Sequence, residues 1–149
     1  MGTLRRLLTF ALSAAVLLLA LVAYSAPAAS ASSQPLRLRA LGWAEAQRGK
    51  PYLWGGTGPY GFDCSGLVME AYLHAGVALP RTTYEMLASP HLVWEPASQR
   101  QRGDLAFYGT GHVELVTAHG TFGALESGTQ IGWHTPSGWW RPTAFYRVR

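Results

Sequence analysis

The chain has one cysteine and one lysine among its 149 residues, and only 13% of the residues are charged. A lone cysteine cannot close an internal disulfide, so no bridge staples this fold. One cysteine and five scattered histidines show no ligand spacing, which argues against a metal cluster, and no cofactor is expected. There is no Lys/Arg run and no basic stripe interleaved with aromatics, so nucleic acid is not an expected partner. Low charge combined with 48% hydrophobic content argues against disorder. The length suits one domain.

Long apolar runs are confined to the N-terminus. Arg5 and Arg6 precede "LLTFALSAAVLLLALVAY" (7–24), and "SAPAASAS" (25–32) follows. A basic start, an apolar centre and small residues at Ala26-Pro27-Ala28 and Ala29-Ser30-Ala31 are the layout of a secretory signal peptide. The apolar run is also just long enough to span a bilayer, so an uncleaved anchor is the alternative. Either way the rest of the chain is expected outside the cytoplasm, secreted or in the cell envelope. The expected organisation is a signal peptide over 1–31, a lead-in over 32–38 and one domain over 39–149, acting as a monomer. Without Arg5 and Arg6, ten basic and eight acidic groups remain, a net +2 that suits an anionic envelope. A single cysteine in a secreted domain is either an intermolecular bridge or a reactive thiol.

Helical signals come first. Leu41, Ala44 and Gln47 have helical spacing in "RALGWAEAQRGK" (39–50), which stops at Gly49. The Gly- and Pro-rich stretch "PYLWGGTGPYG" (51–61) reads as a loop. Leu67, Val68, Ala71, Tyr72 and Ala75 form the apolar face of a second helix, with Asp63 as N-cap and Gly76 as the C′ residue. Residues 78–90 read as a Pro-opened turn with one or two helical turns. From residue 91, short β-rich segments alternate with Gly, Pro and Ser, predicting an antiparallel sheet of about five or six strands. Helices followed by strands give an α+β domain.

Cys64 falls at the first position of the second helix. The partial positive charge and unpaired N–H groups there favour a thiolate and can hold an oxyanion. Gly61 and Gly66 leave the approach uncrowded. Cysteine is also among the most buried residue types, so a packed apolar cysteine is the competing reading. A nucleophilic cysteine needs a base, usually histidine. His112 opens the predicted strand "HVELV" directly after "GTG" and is preferred. His74 lies near a helix C-terminus, His91 in a loop, His119 in a turn and His134 in a Trp-rich tail.

The series "GKPYLWGG…GFDCSGLVMEAYLHAGVALPRTT…QRGDLAFY…GHVELV" resembles the NlpC family of bacterial cell-wall cysteine peptidases, over residues 40 to about 120 and in the family's order. The resemblance implies a papain-like core and cleavage of amide bonds in peptidoglycan stem peptides, typically after γ-D-glutamate. It implies Cys64 as nucleophile and His112 as base. Tyr52, Asp63 and Ser65 match positions beside the nucleophile that contact the substrate. Asp63 is equally an N-cap, Ser65 a good first-turn residue and Tyr52 a packing residue. Arg81 in "LPR" also matches, and a structural role suits it as well.

The family's third polar residue, most often histidine on the next strand, orients the imidazole. Counting forward from His112 lands near Ala124 or Leu125, which cannot serve. Glu126 is the nearest polar side chain and is the expected third catalytic residue. Glu114 shares a strand face with His112, and His119 is another possibility. A backbone carbonyl or water is the alternative to any side chain. This departure keeps two other classes open: an inactive wall-binding domain, or an acyl transferase of the same fold. The tryptophans of "GWHTPSGWWRP" (132–142) suit core or cleft wall better than sugar stacking.

Overall fold

The computed structural model describes residues 34–149. The segment read as a signal peptide lies outside the described residues. Helix α1 spans Leu36–Glu45, α2 Cys64–Ala75 and α3 Thr83–Leu87. Six strands follow: β1 (Leu92–Glu95), β2 (Leu105–Tyr108), β3 (His112–Val116), β4 (Thr121–Gly123), β5 (Gly132–His134) and β6 (Ala144–Val148). They form one antiparallel sheet in the order β1-β6-β2-β3-β4-β5. The expected α+β architecture, helices and then an antiparallel sheet, is the one observed. Among the described residues, no helix is long and apolar enough to cross a membrane.

Helix α2 has the boundaries its sequence predicts. The Asp63 side chain accepts from the Gly66 N–H at 2.7 Å, closing the N-terminus. Gly76 ends the helix in the left-handed region at φ 104°, where only glycine is free of strain. Helix α1 differs from its expected span over 39–50. It starts at Leu36, behind Pro35, and gives way to a turn after Glu45. The lead-in is therefore partly helical. Its first turns are tied down by Arg39, which donates to the Ala75 carbonyl at 2.6 Å. Helix α3 is fixed by a capping box, in which Thr82 and Glu85 each satisfy the other's backbone N–H.

Strand alternation sorts the middle of the sheet into two faces. Phe107, Val113, Leu115 and Phe122 enter the hydrophobic core with Leu41, Leu67, Val68, Ala71 and Tyr72 of α1 and α2. The alternate residues of β3, His112 and Glu114, face the other way, yet both are buried. The segment after β5 roofs part of that second face: Trp140 stacks on Tyr108 with ring centroids 4.5 Å apart. So β3 carries apolar groups on one side and titratable groups on the other, at the point where α2 begins.

Leu67 is fully buried one turn into α2. Leu67→Ala is expected to cost about 2–5 kcal/mol, as a lost transfer term plus a cavity. Urea denaturation reads this as a lower midpoint at unchanged slope; a loss below about 1 kcal/mol would contradict the packing described.

Candidate active site

The site begins with the docking of the first turn of α2. The Asp63 carboxylate caps the helix, accepts from the Gly55 N–H at 3.0 Å and pairs with Arg81. Arg81 Nη2 lies 2.5 Å from Oδ2, and Nη1 donates to Oδ1 at 3.0 Å and to Ser65 Oγ at 3.0 Å. This hydrogen bonding to Asp63 holds the Arg81 guanidinium above its ordinary pKa, although burial opposes the charge. At Gly66 the helix meets the preceding loop without a gap: a Cβ there would run into the Gly56 carbonyl oxygen. Cys64 is thus the first residue of a helix held by its cap and by a backbone contact, and it stays partly exposed.

His112 opens β3 on the wall of the same cleft as Cys64. Burial works against a charged imidazole. Cys64 and Glu114 together outweigh it and carry the His112 pKa up to about 9. His112 Nε2 is 3.2 Å from Glu114 Oε1. With Nε2 turned to the carboxylate, Nδ1 is the nitrogen left for the thiol.

Glu114 is fully buried. The same Oε1 lies 2.7 Å from His134 Nδ1, and Oε2 accepts from Thr121 Oγ1 at 2.5 Å. Neither imidazole approach is linear enough for a full hydrogen bond, so both act as close electrostatic contacts. Tyr108 Oη and Thr121 Oγ1 are 3.0 Å apart and extend the group to β2. Burial alone would raise the Glu114 pKa; His112, His134 and Thr121 outweigh it and bring it down to about 2. Gly123 makes the room, because a Cβ there would stand 2.7 Å from Glu114 Cγ. Trp140 covers the group, its ring centroid 5.3 Å from that of His112.

Cys64 and His112 open into a cleft of about 730 Å³. Tyr52, Asp63 and Ser65 line it, together with Arg81, Trp54 and Tyr84. Burial, with Cys64 and Asp63 beside it, pushes the Tyr52 phenol above its ordinary pKa.

Five of the six residues singled out from the sequence therefore meet in one place. Glu126 does not join them. It is exposed in the turn after β4, where its N–H donates to Thr129 Oγ1 at 3.3 Å. Strand β4 ends at Gly123, so Glu126 lies past the end of the strand that counting forward from His112 reaches. Ala124 is buried and Leu125 forms part of the cleft wall. His119 lines a groove with Arg100 and Arg141, apart from the cleft. His74 stacks on Trp43, and His91 contacts the Arg149 carbonyl. The group that meets His112 is Glu114, with His134 behind it. Period-two alternation in "HVE" was the available signal for Glu114. No local signal marked His134, which arrives by the pairing of β5 with β4. Among the described residues, no His/Cys/Asp/Glu group could hold a metal ion.

The profile described as NlpC/P60 family matches residues 49–143. Over 116 residues the chain is 41% identical to a protein of Corynebacterium glutamicum (strain R) described as "probable endopeptidase", covering 74% of this chain and 54% of that one. The chain thus spans about half the length of this curated relative. Its fold is similar to that of the peptidoglycan hydrolase RipB from Mycobacterium tuberculosis, at 28% identity and TM-score 0.68, covering 83% of this chain and 69% of that one. It is also similar to RipD from M. tuberculosis, described as a non-catalytic NlpC/p60 domain protein adapted to peptidoglycan binding. That match has 28% identity and TM-score 0.66, covering 78% of this chain and 99% of RipD.

The depressed Glu114 pKa has a stability signature. A carboxylate whose folded pKa lies below its ordinary value stabilises the fold above about pH 4.5 and loses that contribution as pH falls through about 2. The difference in urea midpoint between wild type and Glu114→Gln should shrink steadily between pH 5 and pH 2.5. A difference independent of pH would contradict an ionised buried Glu114.

Proposed function

The chain belongs to the NlpC/P60 family, and on that footing we propose that it is an extracytoplasmic cysteine endopeptidase that hydrolyses peptidoglycan stem peptides after γ-D-glutamate. The observation that carries this reading is the meeting of Cys64, the first residue of α2, with His112, the first residue of β3, in one cleft. Residues 1–31 serve as the export signal, and residues 39–149 act as a single monomeric domain.

In this reading the Cys64 proton has already passed to His112 Nδ1 before substrate arrives, and the thiolate of this pair attacks the scissile carbonyl carbon. The negative charge gathers on the carbonyl oxygen, and the Cys64 N–H, which has no intrahelical partner at the first helical position, donates to it. The C–N bond breaks, and His112 returns the proton to the leaving amine. Water, deprotonated by His112, then cleaves the thioester and regenerates the thiol. The partial exposure of Cys64 supports water over another amine as acceptor, and so a hydrolase over an acyl transferase. Tyr52 and the Asp63–Arg81–Ser65 group line the cleft beside the nucleophile and would meet the polar end of a stem peptide.

A second reading, a wall-binding domain without turnover, is favoured by the likeness to RipD. The two readings separate in one experiment. Purified protein incubated with muropeptides should release fragments whose masses name the bond, and Cys64→Ala, folded by circular dichroism, should lower the rate by at least ~10³-fold. Turnover by Cys64→Ala would remove the nucleophile. Binding of muropeptides by a folded wild type with a reduced thiol, without cleavage, would favour the second reading.

The raised His112 pKa sets the alkaline side of the profile. Below about pH 9 the imidazolium is available to protonate the leaving amine, and above it that proton is lost. kcat/KM is expected to fall with a midpoint near pH 9. A profile flat to pH 10 would contradict the assignment of His112 as the acid.

A further inference from the structure

We propose that Glu114 is the positioning residue of the Cys64–His112 pair, acting from His112's own strand and held from behind by His134 and Thr121. The inference rests on the endopeptidase reading only for its consequence in turnover. The electrostatic coupling it describes is a property of the protein without substrate.

Three observations converge on Glu114. Its carboxylate is fully buried, and its contacts are the groups a positioning residue would use: His112 Nε2 at 3.2 Å, His134 Nδ1 at 2.7 Å and Thr121 Oγ1 at 2.5 Å. A buried carboxylate is costly unless paired. Here it is held from three strands at once, β3, β4 and β5. A Cβ at residue 123 would collide with the Glu114 side chain, and that residue is glycine. Finally, the place from which β4 could have supplied a polar group belongs to Ala124 and Leu125, while Glu126 faces solvent.

The chemistry follows from which nitrogen faces which group. A carboxylate at Nε2 favours the tautomer with its proton there, leaving Nδ1 free to accept from the thiol. When Nδ1 is protonated, the imidazolium forms beside a negative charge already in place. Glu114 takes no proton itself. The partners His134 and Thr121 keep it ionised and stop it rotating away. Trp140 and Tyr108 cover the group, which limits water around it and strengthens the interaction. The charged and titratable groups facing His112 are then Cys64 from α2, Tyr108 from β2 and Glu114 from its own strand, with His134 reaching the same carboxylate from β5.

The test combines a titration with kinetics on the full chain. Imidazole resonances followed by NMR should place the His112 midpoint near 9 in the wild type and at least one pH unit lower in Glu114→Gln. His134→Gln should shift it in the same direction by less. On muropeptides, Glu114→Gln should lower kcat at least 30-fold with KM within threefold, while Glu126→Gln stays within twofold of wild type. An unmoved His112 midpoint in a folded Glu114→Gln, or retained kcat, overturns the proposal. Should Glu114→Gln fail to fold, His134→Gln decides, because it leaves the carboxylate in place. A lowered midpoint and kcat then support the proposal, and unchanged values overturn it. If the wild type cleaves no muropeptide, the endopeptidase reading fails and the NMR shift alone decides the role of Glu114.

Discussion

The contact between the first turn of α2 and the first residue of β3 is the constraint on which the rest of the site depends. A thiol and an imidazole drawn from residues 64 and 112 meet only if two unrelated elements end at the same point. Packing brings them there. The apolar face of α2 and the inward face of β3 share one core through Leu67, Val68, Val113 and Leu115. Local devices then set the height of the helix. Asp63 caps it, Arg81 holds Asp63, and the absence of a side chain at Gly66 lets the helix sit against the Gly56 carbonyl. Asp63 therefore joins structure to function: the carboxylate that ends the helix also orders the cleft wall.

Strand β3 answers with its opposite face. Most of a small protein's polar groups stay in water, because a buried carboxylate can cost several kcal/mol after relaxation. This chain buries Glu114 completely and surrounds it with two imidazoles and a hydroxyl. The local charge pattern then alternates, from thiol to imidazole to carboxylate to imidazole. The two central members, His112 and Glu114, favour each other's charged form, which is why His112 is raised while Glu114 is lowered, despite burial acting against both charges. Gly123 and Trp140 do quieter work, one leaving space and the other covering it.

How far the sequence could be read varied with the range of the signal. The bounds of α2 were legible from Asp63, the apolar spacing and Gly76, all local features. The six strands were legible from short β-rich segments between turns. The start of α1 was not, because Pro35 and the long-range tie from Arg39 to Ala75 extend the helix into a segment without apolar periodicity. The third member of the site failed for a similar reason. Counting forward along the chain led to Glu126, but β4 is only three residues long and the chain turns away before reaching it. Glu114 was within reach of a period-two argument; its partner His134 depended on the pairing of β5 with β4, which no local pattern encodes.

Relatives of similar fold include both a hydrolase and a domain described as non-catalytic, so the fold by itself does not decide between turnover and binding. What distinguishes them is whether the sulfur becomes covalently acylated. The most direct measurement is acid quenching of the protein during reaction with a stem peptide, followed by intact-mass and peptide mapping. The account predicts a transient adduct with the mass of the γ-D-glutamyl donor fragment, localised to Cys64 and released by hydroxylamine. Turnover with no adduct on Cys64 at any quench time, or an adduct on another residue, would contradict it.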